Sequence, residues 1–296
     1  HDLGCRATRV PSTYKVPRQA RDDGWGMLVL AIDTALEACS AAIFDSVEET
    51  IVASDSQIMA RGHAESAMPL LDGVMRGAGL DFFNLDRIAV TVGPGSFTGL
   101  RVGLATMLGF RAVLGHPIAP VPTLEAMAWN LRDEKGLLVP ILKSRHNEVY
   151  WAAYQWLPES GVHTLIAEQV GPPSSVAQVL QVEKACTVFG DGWQAYESEI
   201  REALEAAGGR AQEVSREKHR PSAVSVARAG RQRLAGGQMV EQELVPRYVQ
   251  RTEAEVKFDE QQGVSALERR RQRVAEKLTQ RRQRAVPKGT DARRRT

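Results

Sequence analysis

The sequence predicts an α/β protein built in two halves, and three observations lead there. A β-branched run from Arg87 to Val92 stops at Gly93-Pro94-Gly95 and leaves as a helix, with Ser96 placed to cap it. Upstream, the apolar runs Leu28 to Ile32 and Cys39 to Phe44 flank a short polar turn that opens with Asp33-Thr34, the pattern of a strand hairpin. A polar break, Arg132-Asp133-Glu134-Lys135-Gly136, is followed by a second series of strands and helices beginning at Leu137.

The chain has 296 residues, enough for one or two domains with a sizeable core, and its charged fraction of 25% is that of an ordinary globular protein. A net charge of +2 conceals an asymmetry: Val264 to Thr296 carry 12 Lys and Arg against 3 Asp and Glu, a net of +9, which leaves the rest at −7. An acidic body with a basic tail is expected. Cys5, Cys39 and Cys186 are odd in number and form no C-x-x-C pair, which suits a reducing, cytoplasmic setting better than a disulfide framework. Apolar runs break well short of the roughly 20 residues of a membrane span and no leader pattern is visible, so no membrane partner is expected.

Residues 1–26 are polar, contain Pro11 and Pro17, and end in Gly24-Trp25-Gly26 ahead of Met27, where a strand starts at once. They read as an appended or disordered segment, with Met27 as the native start. From His63 to Ala78, residues Ala64, Met68, Leu71, Met75 and Ala78 form one stripe of an amphipathic helix. His63 invites a metal, but the residue one turn on is Ala67 and no second ligand stands in register, so no metal site is expected.

Gly93, Gly95 and Gly99 fit none of three glycine-loop chemistries. A Walker loop requires Lys-Ser or Lys-Thr where Leu100-Arg101 follows, a dinucleotide fingerprint requires tighter spacing, and a nucleophile elbow on Ser96 requires glycines where Pro94 and Thr98 stand. What they describe is a helix surface. Gly99, Gly103 and Gly109 each cost about 1 kcal/mol against alanine inside a helix. Gly99 and Gly103, one turn apart, share a face and let a second backbone approach. Arg101 and Arg111 are the only charges from Ser96 to Leu114, so the helix is expected to be covered on more than one side, by its own domain or, on one face, by another subunit.

Pro120 and Pro122 lead into a helix from Thr123 to Arg132. The second half opens with a strand at Leu137 to Leu142, a turn at Ser144 to Asn147, and a strand at Glu148 to Trp156. Tyr150, Trp151, Tyr154 and Trp156 crowd that last strand with apolar residues facing both ways, which predicts a central strand with aromatics in the core rather than a nucleobase shelf. Pro158 to Pro173 reads as loop and short strand, Ser174 to Lys184 as a helix, and Thr187 to Phe189 as a strand ending in Gly190-Asp191-Gly192-Trp193. An acidic helix runs on to Ala207, then a loop to Arg220, then a helix capped by Ser222 to about Ala235; Val264 to Ala285 again has helix-forming composition.

The run VGPGSFTGLRVGLATMLG, with MLVLAIDTALEACSAAIFD before it and NEVYWAAY after it, resembles the TsaB (YeaZ) family, a subunit of the bacterial machinery that makes threonylcarbamoyladenosine in tRNA. The likeness spans about Met27 to Arg251, where LVPRYVQR is similar to the family's closing P-x-Y segment. The resemblance implies two ribonuclease-H-like lobes of the actin, sugar-kinase and heat-shock ATPase superfamily. On it the chain divides into a first lobe at 27–135, a second at 136–220, a helix returning to the first lobe with the closing segment at 221–251, and a basic tail at 252–296, helical or disordered. It further implies a non-catalytic dimerisation subunit, cytoplasmic, that pairs with the catalytic, metal-binding TsaD subunit in threonylcarbamoyl transfer to tRNA adenosine, with the ATPase TsaE joining them. No catalytic residue is assigned, no cofactor is expected to be held tightly, and ATP and metal are expected in the partner.

Carried onto this sequence, the partner-facing helices are His63 to Ala78, through His63, Ala64, Met68, Leu71 and Met75, and Ser96 to Leu114, through Ser96, Gly99, Leu100, Gly103, Leu104 and Met107. The same surface would serve a homodimer. The superfamily's hairpin carries an acid and hydroxyls beside nucleotide phosphates, which makes Asp33, Thr34 and Ser40 candidate nucleotide contacts, against a reading in which they serve local backbone amides. Its second phosphate loop opens with aspartate where this chain has Lys143. The competing functions are an ATPase or kinase of the same superfamily, against which Lys143 and Ala67 stand, and a metallopeptidase, which the absent ligand pair opposes. Arg269, Arg270, Arg271 and Arg273 are candidate RNA contacts through which the tail would raise affinity for tRNA.

Overall fold

In the computed structural model, which describes residues 28–59, 62–145 and 147–236, the chain runs twice along the same path. Strands β1 (Leu28–Asp33), β2 (Ala38–Asp45) and β3 (Thr50–Ile58) form an antiparallel meander; α1 (His63–Ala78) crosses back, and β4 (Arg87–Gly93), α2 (Phe97–Leu114) and β5 (Ile118–Pro122) complete a parallel extension. The first sheet has the order β3-β2-β1-β4-β5. The second pass repeats it with β6 (Leu137–Lys143), β7 (Val149–Leu157), β8 (Gly161–Gly171), a 3₁₀ segment at Pro173–Gln181, β9 (Ala185–Phe189), α4 (Asp191–Ala206) and β10 (Arg210–Glu213), in the order β8-β7-β6-β9-β10.

Each pass closes with a helix that docks on the other lobe. Helix α3 (Thr123–Trp129) lies on β6, β7 and β8, while α5 (Ala223–Ala235), opened by a capping box at Ser222 and Ser225, lies on β1, β2, β4 and β5. The exchange creates a central core in which Val29 and Ala89 of one sheet meet Leu138 and Ala152 of the other through Trp129 and Val226. Two outer cores flank it, one beneath α1 and α2 around Leu71, Ile88 and Met107, one beneath α4 around Trp151, Ile200 and Leu204. Because both faces of the first sheet are covered, β1 is buried at every residue, as its unbroken apolar run requires. The architecture is the two-lobed α/β arrangement of the actin and sugar-kinase type.

Helices α1 and α2 fall where periodicity puts them, and the Ser96 hydroxyl caps α2 by accepting from the Gly99 amide at 3.2 Å. Strand β7 is interior, with Trp151 and Tyr154 buried and Trp156 edge-to-face with Trp129 at 5.2 Å, so its aromatics are core. Sequence patterning missed β3, β5 and β10 and foreshortened β8. All lie at or next to sheet edges, where polar residues such as Ser54, Asp55, Glu168 and Gln169 blur the alternation, and the edge position lets β5 hold Pro120 and Pro122. The expected helix at Ser174 to Lys184 is the 3₁₀ segment, and α3 stops at Trp129 rather than Arg132. The N-terminal segment 1–26, the closing segment Leu244 to Arg251, and the tail with Arg269, Arg270, Arg271 and Arg273 lie outside the described residues.

Candidate functional site

The β1–β2 hairpin holds the N-terminal ends of three helices. For α2, the Thr34 hydroxyl donates to the Gly99 carbonyl at 2.7 Å and the Ser96 amide donates to the Ala35 carbonyl at 2.7 Å. For α1, whose N-cap Gly62 has no side chain to offer, His63 Nε2 bonds the Leu36 carbonyl at 3.0 Å. For α5, the Ala223 amide donates to the hydroxyl of Ser40, the cross-strand neighbour of Asp33, at 2.9 Å.

This packing explains the glycines of α2 and corrects the expected contact face. A Cβ on Gly99 would stand 2.0 Å from the Thr34 carbonyl oxygen, and one on Gly103 2.4 Å from the Thr34 hydroxyl. The close approach is made by the chain's own hairpin. Leu100, Leu104 and Met107 are buried on the same side, as are His63, Leu71 and Met75 of α1; of the residues assigned to a partner, Ala64, Met68 and Ser96 alone remain exposed. The physical cause is the helical repeat: residues two apart lie about 200° round the axis, so the solvent-facing Arg101 sends Gly99 and Gly103 inward. The outward stripe of α2 is Phe97, Arg101, Ala105, Leu108, Ala112 and Val113, with the Arg101 guanidinium over the Phe97 ring at 3.8 Å. Val113 is 74% exposed and Met68 on α1 49%, so the outward surface of α1 and α2 at these residues faces solvent. Among the described residues α2 is the helix long and apolar enough to cross a membrane, but its glycine side is packed on β4 and the hairpin.

Asp33 sits beneath the hairpin with no solvent exposure. Its Oδ1 accepts from the Thr91 hydroxyl at 2.8 Å and the Ala35 amide at 3.1 Å, while Oδ2 has no hydrogen-bond partner among the described residues. Burial pushes its pKa up to about 6, opposed by the Thr91 and Ala35 hydrogen bonds and by His63. The structure places Asp33, Thr34 and Ser40, the candidate nucleotide contacts, within the hairpin's own packing. All are buried, the two hydroxyls are committed to Gly99 and Ala223, and the amide of Ser96 is taken by a carbonyl. Neighbouring Cys39 is a buried thiol whose pKa burial pushes up to about 12, and Cys186 is similarly pushed to about 11, so neither is a reactive thiolate.

The corresponding junction in the second lobe is open. Here α4 meets β6 through Gly190 (φ 116°) and Gly192, whose Cβ atoms would lie 2.0 Å from the Ile141 carbonyl oxygen and 2.7 Å from the Leu142 carbonyl carbon. Lys143 donates its amide to Asp191 Oδ1 at 2.9 Å and holds its Nζ 3.9 Å from Oδ2; burial raises the Asp191 pKa and Lys143 opposes the rise. The Gly190 amide donates to His219 Nδ1 at 3.0 Å, which leaves Nε2 to donate to the Val214 carbonyl at 3.3 Å. These residues border a cavity of about 610 Å³ between the lobes, lined by Leu36, Glu37, Lys143, Asp191, Arg216 and Arg220 among others. Its charges are of both signs, and no group of three His, Cys, Asp or Glu able to hold a metal occurs among the described residues. Sequence reasoning missed Asp191 and His219 as members of this junction; the signal for Asp191 was an acid between two glycines at a strand-to-helix turn.

Fold and hairpin together define the class: a duplicated α/β protein of the actin and sugar-kinase type whose first hairpin is closed onto its own helices. A family model described as "TsaD: tRNA N6-adenosine threonylcarbamoyltransferase" matches residues 47–258. The chain is 32% identical to the tRNA threonylcarbamoyladenosine biosynthesis protein TsaB of Haemophilus influenzae, over 57% of this chain and 74% of that protein. It is 29% identical to TsaB of Bacillus subtilis, over 80% and 100%. Among solved structures, YeaZ from Pseudomonas aeruginosa aligns with a TM-score of 0.66 at 27% identity, covering 75% of this chain and 100% of YeaZ. The chain belongs to the TsaB (YeaZ) family.

Proposed function

We propose that the chain is a non-catalytic subunit in the synthesis of threonylcarbamoyladenosine in tRNA, one that pairs with and supports a TsaD-type catalytic subunit. The observation that carries this reading is the closed hairpin: its acid is sealed and its hydroxyls bind helix ends, so the groups that phosphoryl chemistry requires are spent on structure. The outer face of α1 and α2 supports the pairing, since among the described residues Leu108, Val113 and Met68 present large exposed apolar side chains there. ATP and metal belong to the partner and to a TsaE-type ATPase that joins the pair. In the absence of the catalytic subunit, the same face supports a homodimer. The basic tail adds affinity for tRNA, with a salt slope of about −0.9 per duplex phosphate neutralised, and deletion of Val264 to Thr296 is expected to lower both.

A second reading, an ATPase of the same superfamily, draws on the cavity between the lobes, where Lys143, Arg216 and Arg220 are positive groups able to meet an anion. Two assays separate the readings. In a reconstituted reaction with the catalytic subunit, the TsaE-type ATPase, ATP, a threonylcarbamoyl donor and tRNA, omission of the chain abolishes modification. Calorimetry of the isolated chain with magnesium-ATP gives no tight binding and no turnover; micromolar binding with hydrolysis would establish the second reading in place of the first.

A further inference from the structure

We propose that Asp33 is the positioning residue of the α1/α2 surface, its carboxylate fixing from beneath the turn that grips both helices by their N-terminal ends. The carboxylate terminates β1 and is shared through one oxygen between the hydroxyl of Thr91 on β4 and the amide of Ala35 in the turn. It thereby locks the turn to the strand that feeds α2. The next three residues each hold a helix: Thr34 through the Gly99 carbonyl, Ala35 through the Ser96 amide, Leu36 through His63. With Gly99 and Gly103 in contact with Thr34, α2 has no room to slide, so the disposition of the outward stripe is set by these four residues.

The groups facing Asp33 are few. Helix α1 presents His63, β2 presents the Cys39 thiol, β4 the Thr91 hydroxyl, and α5 the Ala223 amide at Ser40, while α2 meets the turn with glycines rather than a charged side chain. The second carboxyl oxygen is buried and has no hydrogen-bond partner among the described residues. Ionisation there is relieved by opening the turn to water, so the hold on the helix ends weakens as the carboxyl group loses its proton. A group whose pKa is about 6 when buried and 3.8 when exposed makes this opening about tenfold more favourable at pH 7.5 than at pH 5.

Hydrogen exchange on the full chain, expressed as protection factors, tests this directly. In the wild type, protection of residues 63–67 and 97–103 is expected to fall about tenfold from pH 5 to pH 7.5, with β6 and β9 amides of the second lobe unchanged. Asp33→Asn, which keeps the Oδ1 acceptor and cannot ionise, is expected to flatten that profile; Asp33→Ala is expected to lose protection at both helix ends at either pH. Should Asp33→Ala not fold, the comparison of wild type with Asp33→Asn carries the test. Equal pH profiles in those two, or a loss of protection in Asp33→Ala spread evenly over both lobes, would overturn the proposal. A further readout rests on the pairing proposed above: Asp33→Ala weakens association with the TsaD-type subunit and Asp33→Asn restores it. If Leu108→Asp leaves association unchanged, the docking face is wrong while the exchange data still judge Asp33.

Discussion

In the first lobe, α2 meets the β1–β2 hairpin through Gly99 and Gly103; in the second, α4 meets β6 through Gly190 and Gly192, and a Cβ on any of the four would stand 2.0 to 2.7 Å from the nearest backbone or side-chain atom. The topology is the same and the chemistry is not. The first junction encloses a carboxylate with no solvent exposure and turns its hydroxyls to helix ends, whereas the second leaves Lys143 and Asp191 at the border of a cavity. Duplicated elements therefore teach that close glycine packing belongs to the fold, and that solvent access decides whether a junction can act on a ligand. In this chain the first junction has become a lock.

Five substitutions break or sharpen the contrast. Gly99→Ala pushes a methyl group into the Thr34 carbonyl and is expected to cost about 3 kcal/mol or more. Gly109→Ala, at a position with open space, is expected to stabilise by up to about 1 kcal/mol, and denaturant titration distinguishes them. Asp33→Asn comes next. Burial raises the folded pKa of Asp33 above its unfolded value, so its contribution to stability is present below pH 3.8 and is lost as pH rises through about 6. Above that pH the loss is about 3 kcal/mol, and the variant is expected to lack this slope in thermal unfolding followed across pH. Thr34→Val removes the buried bond to the Gly99 carbonyl at similar volume, for about 1–2 kcal/mol. Lys143→Ala is expected to change stability by less than about 0.5 kcal/mol, because its partner Asp191 is met by an exposed, 3.9 Å contact.

Much of this was legible in the chain. Ser96 as N-cap, the span of α1 and the hairpin at Asp33 each follow from local chemistry, and the structure reproduces them, although the buried face of α1 runs through His63, Ala67, Leu70, Leu71, Val74 and Met75 and leaves Ala64 and Met68 of the expected stripe exposed. The direction of the glycine face was harder, because α2 is apolar on both sides and periodicity states which residues share a face without stating which face looks inward. Arg101 held the answer: a charge in mid-helix points to water, and Gly99 and Gly103 lie opposite. The hold of Ser40 on α5 was beyond reach, since 183 residues separate Ser40 from Ala223 and only the crossing of α5 onto the first sheet brings them together. The edge strands were hidden because half their surface faces water.

Sedimentation equilibrium of the chain mixed with its TsaD-type subunit tests the scaffold most directly. The outward α2 stripe predicts a tight pair for the wild type and for Lys143→Ala, and at least a tenfold weaker pair, about 1.4 kcal/mol, for Leu108→Asp with its fold intact by circular dichroism. A pair as tight with Leu108→Asp as with the wild type, or no pair at all, would contradict it.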